Sequence, residues 1–191
     1  MSVKLTKGGS VNLRKESPSL NRLLIGLGWD PVRGGLFGSS NMDIDASVIC
    51  IDSNERYESV VYYGDLVHRS GAIKHYGDNL TGDGDGDDEQ IEIILDKVPA
   101  NIARLSIIIN IYSAHSRNQS FDKVRNCFVR AVDLASNKEL LRYDIDGNFA
   151  KKTGIFVADV YRHNGEWKFK ALGEGVDVSD IREMVRMKCR G

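Results

Sequence analysis

The sequence predicts a mainly β protein, an antiparallel β-sandwich with a few short helices and long loops. Three observations carry this. Short apolar or β-branched runs recur along the chain, clusters of Gly, Asn, Asp and Ser separate them at close spacing, and helical periodicity is largely confined to the C-terminus.

The strand runs are residues 3–5, 23–27, 46–51, 59–63, 91–95, 105–112, 127–134, 140–145, 155–161 and 167–171. Run 105–112 reads LSIIINIY, the composition of a strand covered on both faces, and it is too short and too polar at Asn110 to span a membrane. The clearest local signal is His163-Asn164-Gly165-Glu166. Asn-Gly tolerates the positive φ angles of a type I′ turn, so residues 157–162 and 166–170 are expected to pair as a hairpin. At the C-terminus Ser179 can cap a helix that places Ile181, Met184, Val185 and Lys188 on one face, with Arg186, Lys188 and Arg190 near the negative end of its dipole. A short helix or irregular turn is expected around residues 121–125.

At 191 residues the chain predicts a single domain over residues 1–191, with 175–191 as a C-terminal helix or tail. Hydrophobic residues at 41%, charged residues at 28% and a mean hydropathy of -0.30 exclude a disordered or membrane-embedded chain. The N-terminus MSVKLTKGGSVNLRK lacks the apolar stretch of a secretory signal, so the expected location is cytoplasmic. Cys50, Cys127 and Cys189 are odd in number and far apart, which argues for reduced, partly buried thiols rather than a disulfide framework or a C-x-x-C site.

The net charge of -1 conceals an uneven distribution: residues 78–89 read DNLTGDGDGDDE, with six acids and no Lys or Arg, which leaves the rest of the chain at +5. Gly82, Gly84 and Gly86 alternate with Asp83, Asp85 and Asp87. Glycine lets carboxylates and carbonyls converge, and converging carboxylates repel unless a cation neutralises them. An oxygen-only donor set on a flexible backbone favours Ca²⁺ over Mg²⁺, which requires near-octahedral geometry and keeps water. The stretch is not an EF-hand, because from Asp83 the sixth position is Asp88 rather than Gly and the twelfth is Ile94 rather than Glu. A second acidic element, Asp43-Ile44-Asp45-Ala46-Ser47, opens a strand and puts Asp43, Asp45 and Ser47 on one side. Together the two elements hold enough acids for two neighbouring ions.

These motifs resemble the TerD family of tellurite-resistance and stress-response proteins. The resemblance rests on Gly26-Leu27-Gly28-Trp29-Asp30, on Asp43-Ile44-Asp45-Ala46-Ser47, and on the run from His75-Tyr76-Gly77-Asp78 through Asp87-Asp88-Glu89. It continues through Gln119-Ser120-Phe121, Phe128-Val129-Arg130 and Tyr161-Arg162-His163-Asn164-Gly165-Glu166-Trp167, and so covers nearly the whole chain. The insertion at residues 31–38 is more similar to the TerZ branch, whereas residues 171–191 follow the family pattern poorly. The resemblance implies a cytoplasmic, calcium-binding β-sandwich without an established catalytic activity. Carried over residue by residue, its metal set is Asp43, Asp45, Asp78, Asn79, Thr81, Asp83, Asp85, Asp87, Asp88 and Glu89, with backbone carbonyls around Gly82, Gly84 and Gly86.

The usual catalytic signatures are absent: no G-x-S-x-G, H-E-x-x-H or phosphate-binding loop occurs, and Pro31 stands where a dinucleotide loop needs its third glycine. The expected role is a non-enzymatic, calcium-dependent interaction module whose partners are other proteins of the tellurite-resistance or stress system. Two alternatives remain open. One is calcium-dependent membrane-surface binding through a Leu36-Phe37 tip on the glycines of residues 33–38, and the other is a metal-dependent hydrolase using His75. A direct nucleic-acid partner is not expected at a pI of 6.4 without an aromatic-basic motif.

Overall fold

The structure, a computed structural model, describes residues 2–30, 42–77 and 86–190. In chain order its strands are β1 (Val3–Leu5), β2 (Ser10–Asn12), β3 (Arg22–Asp30), β4 (Ile44–Asp52), β5 (Tyr57–Val61), β6 (Ile73–His75), β7 (Glu89–Ile94), β8 (Ile102–Ile111), β9 (Arg125–Asp133), β10 (Lys138–Asp144), β11 (Gly154–His163) and β12 (Glu166–Val176). Three helices, α1 (Leu13–Glu16), α2 (Ala114–Arg117) and α3 (Ile181–Lys188), and single 3₁₀ turns at Leu95–Lys97 and Phe121–Lys123 complete the described elements.

The strands form two six-stranded sheets, ordered β1-β10-β9-β3-β7-β6 and β2-β12-β11-β8-β4-β5. Alternation explains how they pack. Leu23, Ile25 and Leu27 of β3 meet Ile44, Ala46 and Val48 of β4 and Leu105, Ile107 and Ile109 of β8 in one shared apolar core. The strand covered on both faces is β8, flanked by β11 and β4, and its Ile108 points away from that core into a second cluster with Ile49, Ile51, Phe156 and Met184. α3 closes this cluster. Met184 is fully buried there, and burying a side chain of its size stabilises by about 1.5–3 kcal/mol.

Each of the ten expected runs overlaps a strand, five of them running one or two residues past its end. The hairpin pairs His163 with Glu166 and Arg162 with Trp167, and Asn164 and Gly165 take φ of 52° and 76°, the angles a type I′ turn needs. Two strands, β2 and β6, were not expected; each is three residues long and sits at a sheet edge, too short to show alternation. The sandwich is not wholly antiparallel, because β1 runs parallel to β10 with Val3 opposite Leu141. The two are far apart in sequence, so no hairpin dictates their relative direction. The expected helix at the C-terminus is α3, but its cap is Asp180 rather than Ser179: the Asp180 side chain accepts from the N–H groups of Arg182 and Glu183. The Ser179 N–H instead donates to Glu183 Oε2 at 2.7 Å, which completes a reciprocal capping arrangement. Around residues 121–125 the chain makes one 3₁₀ turn.

Candidate metal centre

The acidic end of the sandwich is built on two glycines. Gly26 and Gly28 share the outer face of β3, and a Cβ at Gly26 would lie 2.2 Å from Asp87 Oδ2, while one at Gly28 would lie 2.6 Å from the Gly86 carbonyl oxygen. Their missing side chains let Gly86 and Asp87 lie flat on that strand. There Arg130, opposite Gly26 on β9, donates from Nε to Asp87 Oδ1 at 2.7 Å and from Nη2 to Asp87 Oδ2 at 2.9 Å. Gln90 Nε2 adds a third bond at 3.1 Å. Among the acids expected to hold a metal, Asp87 is therefore one whose charge a guanidinium already balances.

The next two acids turn inward. Asp88 Oδ2 accepts the Trp29 N–H at 2.7 Å, and the Asp88 N–H donates to the Leu27 carbonyl at 2.7 Å, so residue 88 is fastened to the end of β3. Glu89 reaches the other sheet, where its Oε2 accepts the N–H of Ala46 at 2.7 Å. That N–H belongs to the peptide joining Asp45 to Ala46, so one hydrogen bond brings the acidic run to the Asp43-Ile44-Asp45 element. His75 completes the arrangement, with Nε2 3.1 Å from the Ala46 carbonyl and 3.3 Å from Glu89 Oε2, while Nδ1 accepts the Gly77 N–H at 3.1 Å. β5 pairs with β4 only from Val48 onward, and Glu89 and His75 serve the Ala46 peptide groups in place of a strand. Both His75 nitrogens are thus used inside the fold, and the ring is buried.

On β4, alternation sends Ile44 and Ala46 into the core and Asp45 and Ser47 to the opposite face, where they line a cavity of about 160 Å³ with Tyr63, Asn110, Tyr112 and Asp180. Asn110 stands opposite Asp45 across the β4–β8 ladder. Ser47 Oγ and Asn110 Oδ1 are buried and have no hydrogen-bond partner among the described residues. The Tyr63 hydroxyl is pushed above the usual phenol range, first by burial and then by the charge of Asp45. This donor set is oxygen throughout, which fits a hard cation such as Ca²⁺ and does not fit a thiophilic one.

Of the expected metal set, Asp43, Asp45, Gly86, Asp87, Asp88 and Glu89 are described; Asp78, Asn79, Thr81, Gly82, Asp83, Gly84 and Asp85 lie outside the described residues, as does the Leu36-Phe37 tip. Asp30, which ends β3, accepts from Asn126 Nδ2 at 2.6 Å. The cysteines are free thiols, Cys50 buried and Cys127 and Cys189 partly so. Arg130 carried no expected role, although the paired glycines of β3 were a sign that something must lie on that face. Among the described residues no helix is long and apolar enough to cross a membrane.

A family model described as the TerD domain matches residues 1–187, a span that takes in all of α3 but its last residue. The chain is 42% identical over 195 residues to "Stress response protein SCP2" of Bacillus subtilis, covering 97% of this chain and 98% of that one. It is 42% identical to the tellurium resistance protein TerZ of Serratia marcescens over 188 residues, covering 95% and 94% of the two chains. The TerD protein of the same organism is 40% identical over 178 residues, covering 92% and 91%. A solved Streptomyces coelicolor structure, described as a homologue of telluride resistance protein (TerD), superposes with a TM-score of 0.73 at 24% identity over 91% of this chain and all of that one, which shows a shared fold. A sandwich whose first sheet carries its acidic run against a glycine-lined strand thus sits among proteins named for tellurium resistance and stress response, and the chain belongs to the TerD-domain family.

Proposed function

We propose that the protein is a calcium-binding, non-enzymatic module of the tellurium-resistance and stress-response type, acting in the cytoplasm by docking other proteins of that system when Ca²⁺ is bound. The observation that carries this reading is the Glu89–Ala46 hydrogen bond, which draws the acidic run and the Asp43-Ile44-Asp45 element to one end of the sandwich. Oxygen is the main donor type at that end, His75 being engaged by Ala46 and Gly77, and two ions would relieve the repulsion among the acids. Asp43, Asp45, Asp88 and Glu89 are the described residues that would hold them, Asp87 being balanced by Arg130. Bound calcium supplies positive charge that orders carboxylates; docking then reads the ordered surface. The absence of catalytic signatures and the engagement of both His75 nitrogens support a binding role over hydrolysis.

Calorimetric titration of chelator-stripped protein with Ca²⁺, with Mg²⁺ as control, tests this reading. Saturation near two ions, lost in Asp43→Asn/Asp45→Asn, is the expected result. Heat no larger than that with Mg²⁺ overturns it.

A further inference from the structure

Away from the acidic end, β4, the edge strand β5 and the segment leading to β6 bring together three residues with mixed ligand chemistry. Cys50 Sγ, a Glu58 carboxylate oxygen and a His68 ring nitrogen all lie within 4.8 Å of one another. Cys50 is fully buried and His68 is 4% exposed. A register shift sets up the cluster: Cys50 pairs with Ser59 and Ile51 with Tyr57, so Glu58 is the extra residue of a bulge. A bulge re-aims the side chain it carries, and here the Glu58 carboxylate reaches His68, with Oε2 at 3.3 Å from Nε2.

We propose that Cys50, Glu58 and His68 form a binding site for a thiophilic divalent cation of the zinc class, independent of the oxygen-lined end of the sandwich. Three features argue for it. The first is donor type. Thiolate, imidazole and carboxylate together select zinc-like ions and discriminate against Ca²⁺ and Mg²⁺, which take oxygen. The second is spacing. A tetrahedral ion bound at about 2.0–2.1 Å by nitrogen and oxygen sets those two atoms about 3.3 Å apart, and the His68–Glu58 separation of 3.3 Å matches that edge. The third is orientation. Ser70 holds the ring from its far side: its N–H donates to His68 Nδ1 at 3.2 Å and its Oγ lies 2.8 Å from the same atom, so metal binding at Nε2 shifts the ring proton to Nδ1, where Ser70 Oγ accepts it.

Charge closes as well. A thiolate and a carboxylate neutralise a divalent ion, the imidazole binds neutral, and water fills the fourth position, the pattern of an open three-ligand site. Glu58 also accepts from Ser59 Oγ and Arg69 Nη2, and the Arg69 side chain, 76% exposed, has room to swing into solvent. Burial first, then the Glu58 charge, pushes the Cys50 thiol up to about 12 against the lowering hydrogen bond of Ser59. On binding, the Cys50 thiol proton leaves to solvent while its electron pair goes to the metal.

The test uses the full chain in excess Ca²⁺, titrated first with Co²⁺ and then with Zn²⁺. One equivalent of Co²⁺ is expected to produce thiolate-to-metal charge-transfer absorption, and Zn²⁺ to abolish it by displacement. Cys50→Ser should remove the band, whereas Cys127→Ser and Cys189→Ser keep it. Glu58→Gln, which keeps the size of the side chain, should weaken Zn²⁺ binding beyond the about 10–100-fold that loss of a supporting hydrogen bond causes. Absence of the band in the wild-type chain, its persistence in Cys50→Ser, or Zn²⁺ affinity unchanged in Glu58→Gln would each overturn the proposal.

Discussion

Arg130 grips Asp87 through two nearly parallel hydrogen bonds, and the pair rests on Gly26, whose missing side chain is what makes room for it. The Asp87 side chain is wholly buried and the guanidinium is 31% exposed. Removing Arg130 leaves a buried carboxylate without its counter-charge, so Arg130→Ala should destabilise by about 3 kcal/mol, the lower end for a broken buried pair. Gly26→Ala should cost about 1–3 kcal/mol by forcing Asp87 out of that grip. Because both changes act on one contact, the double variant should lose less than the sum of the two, which urea unfolding of all three variants will check.

The type I′ turn at Asn164-Gly165 gives a local prediction. Gly165 has φ of 76° with open space where a Cβ would stand, so Gly165→Ala meets no clash and costs only its backbone conformation. A loss of about 1–2 kcal/mol is expected, with unchanged calcium binding by calorimetry.

The cap of α3 is a second local feature. Asp180→Ala removes the acceptor for two helix N–H groups and should cost about 0.5–2 kcal/mol, read as a lower denaturation midpoint. Ser179→Ala should have little effect, since it is the Ser179 backbone that bonds Glu183.

Acid stability should depend on Asp133. Burial opposes its charge, but the hydroxyls of Ser136 and Ser17 and the N–H of Ala135 hold its carboxyl below the usual range. A lowered folded value means its contribution is complete above the unfolded carboxyl range near about pH 4 and is lost as pH falls through the folded value. Denaturation midpoints measured from neutral to acid pH should therefore fall less steeply in Asp133→Asn than in the wild-type chain.

Calcium itself should act on stability. Free Ca²⁺ at about 100 times its Kd adds about 2.7 kcal/mol per site that exists only in the folded chain. The melting temperature should rise with Ca²⁺ and not with Mg²⁺, and Asp43→Asn/Asp45→Asn should fold yet lose that rise.

The features legible in the sequence were those set by neighbouring residues. Asn164-Gly165 fixes its own turn, and the LSIIINIY run declares a doubly covered strand whatever packs on it. β2 and β6 escaped because three residues at a sheet edge take their conformation from the strand beside them. At the candidate site the acids were visible as a charge run, but their individual engagements were not. Asp87 meets Arg130 and Glu89 meets Ala46, each 43 residues away in sequence. Cys50, Glu58 and His68 were hidden for the same reason, since no ligand-spacing motif joins a strand residue, a bulge residue and a loop residue.

The bonds from Glu89 and His75 to Ala46 have a mechanical consequence. They run from one sheet to the other, whereas most of the contact between the layers is apolar. Apolar layers resist separation but yield readily to small sliding, because dispersion has little directional preference. Directional bonds do not slide. The two layers are therefore pinned in one registry at the acidic end, and a shear of the sandwich must pivot about Ala46.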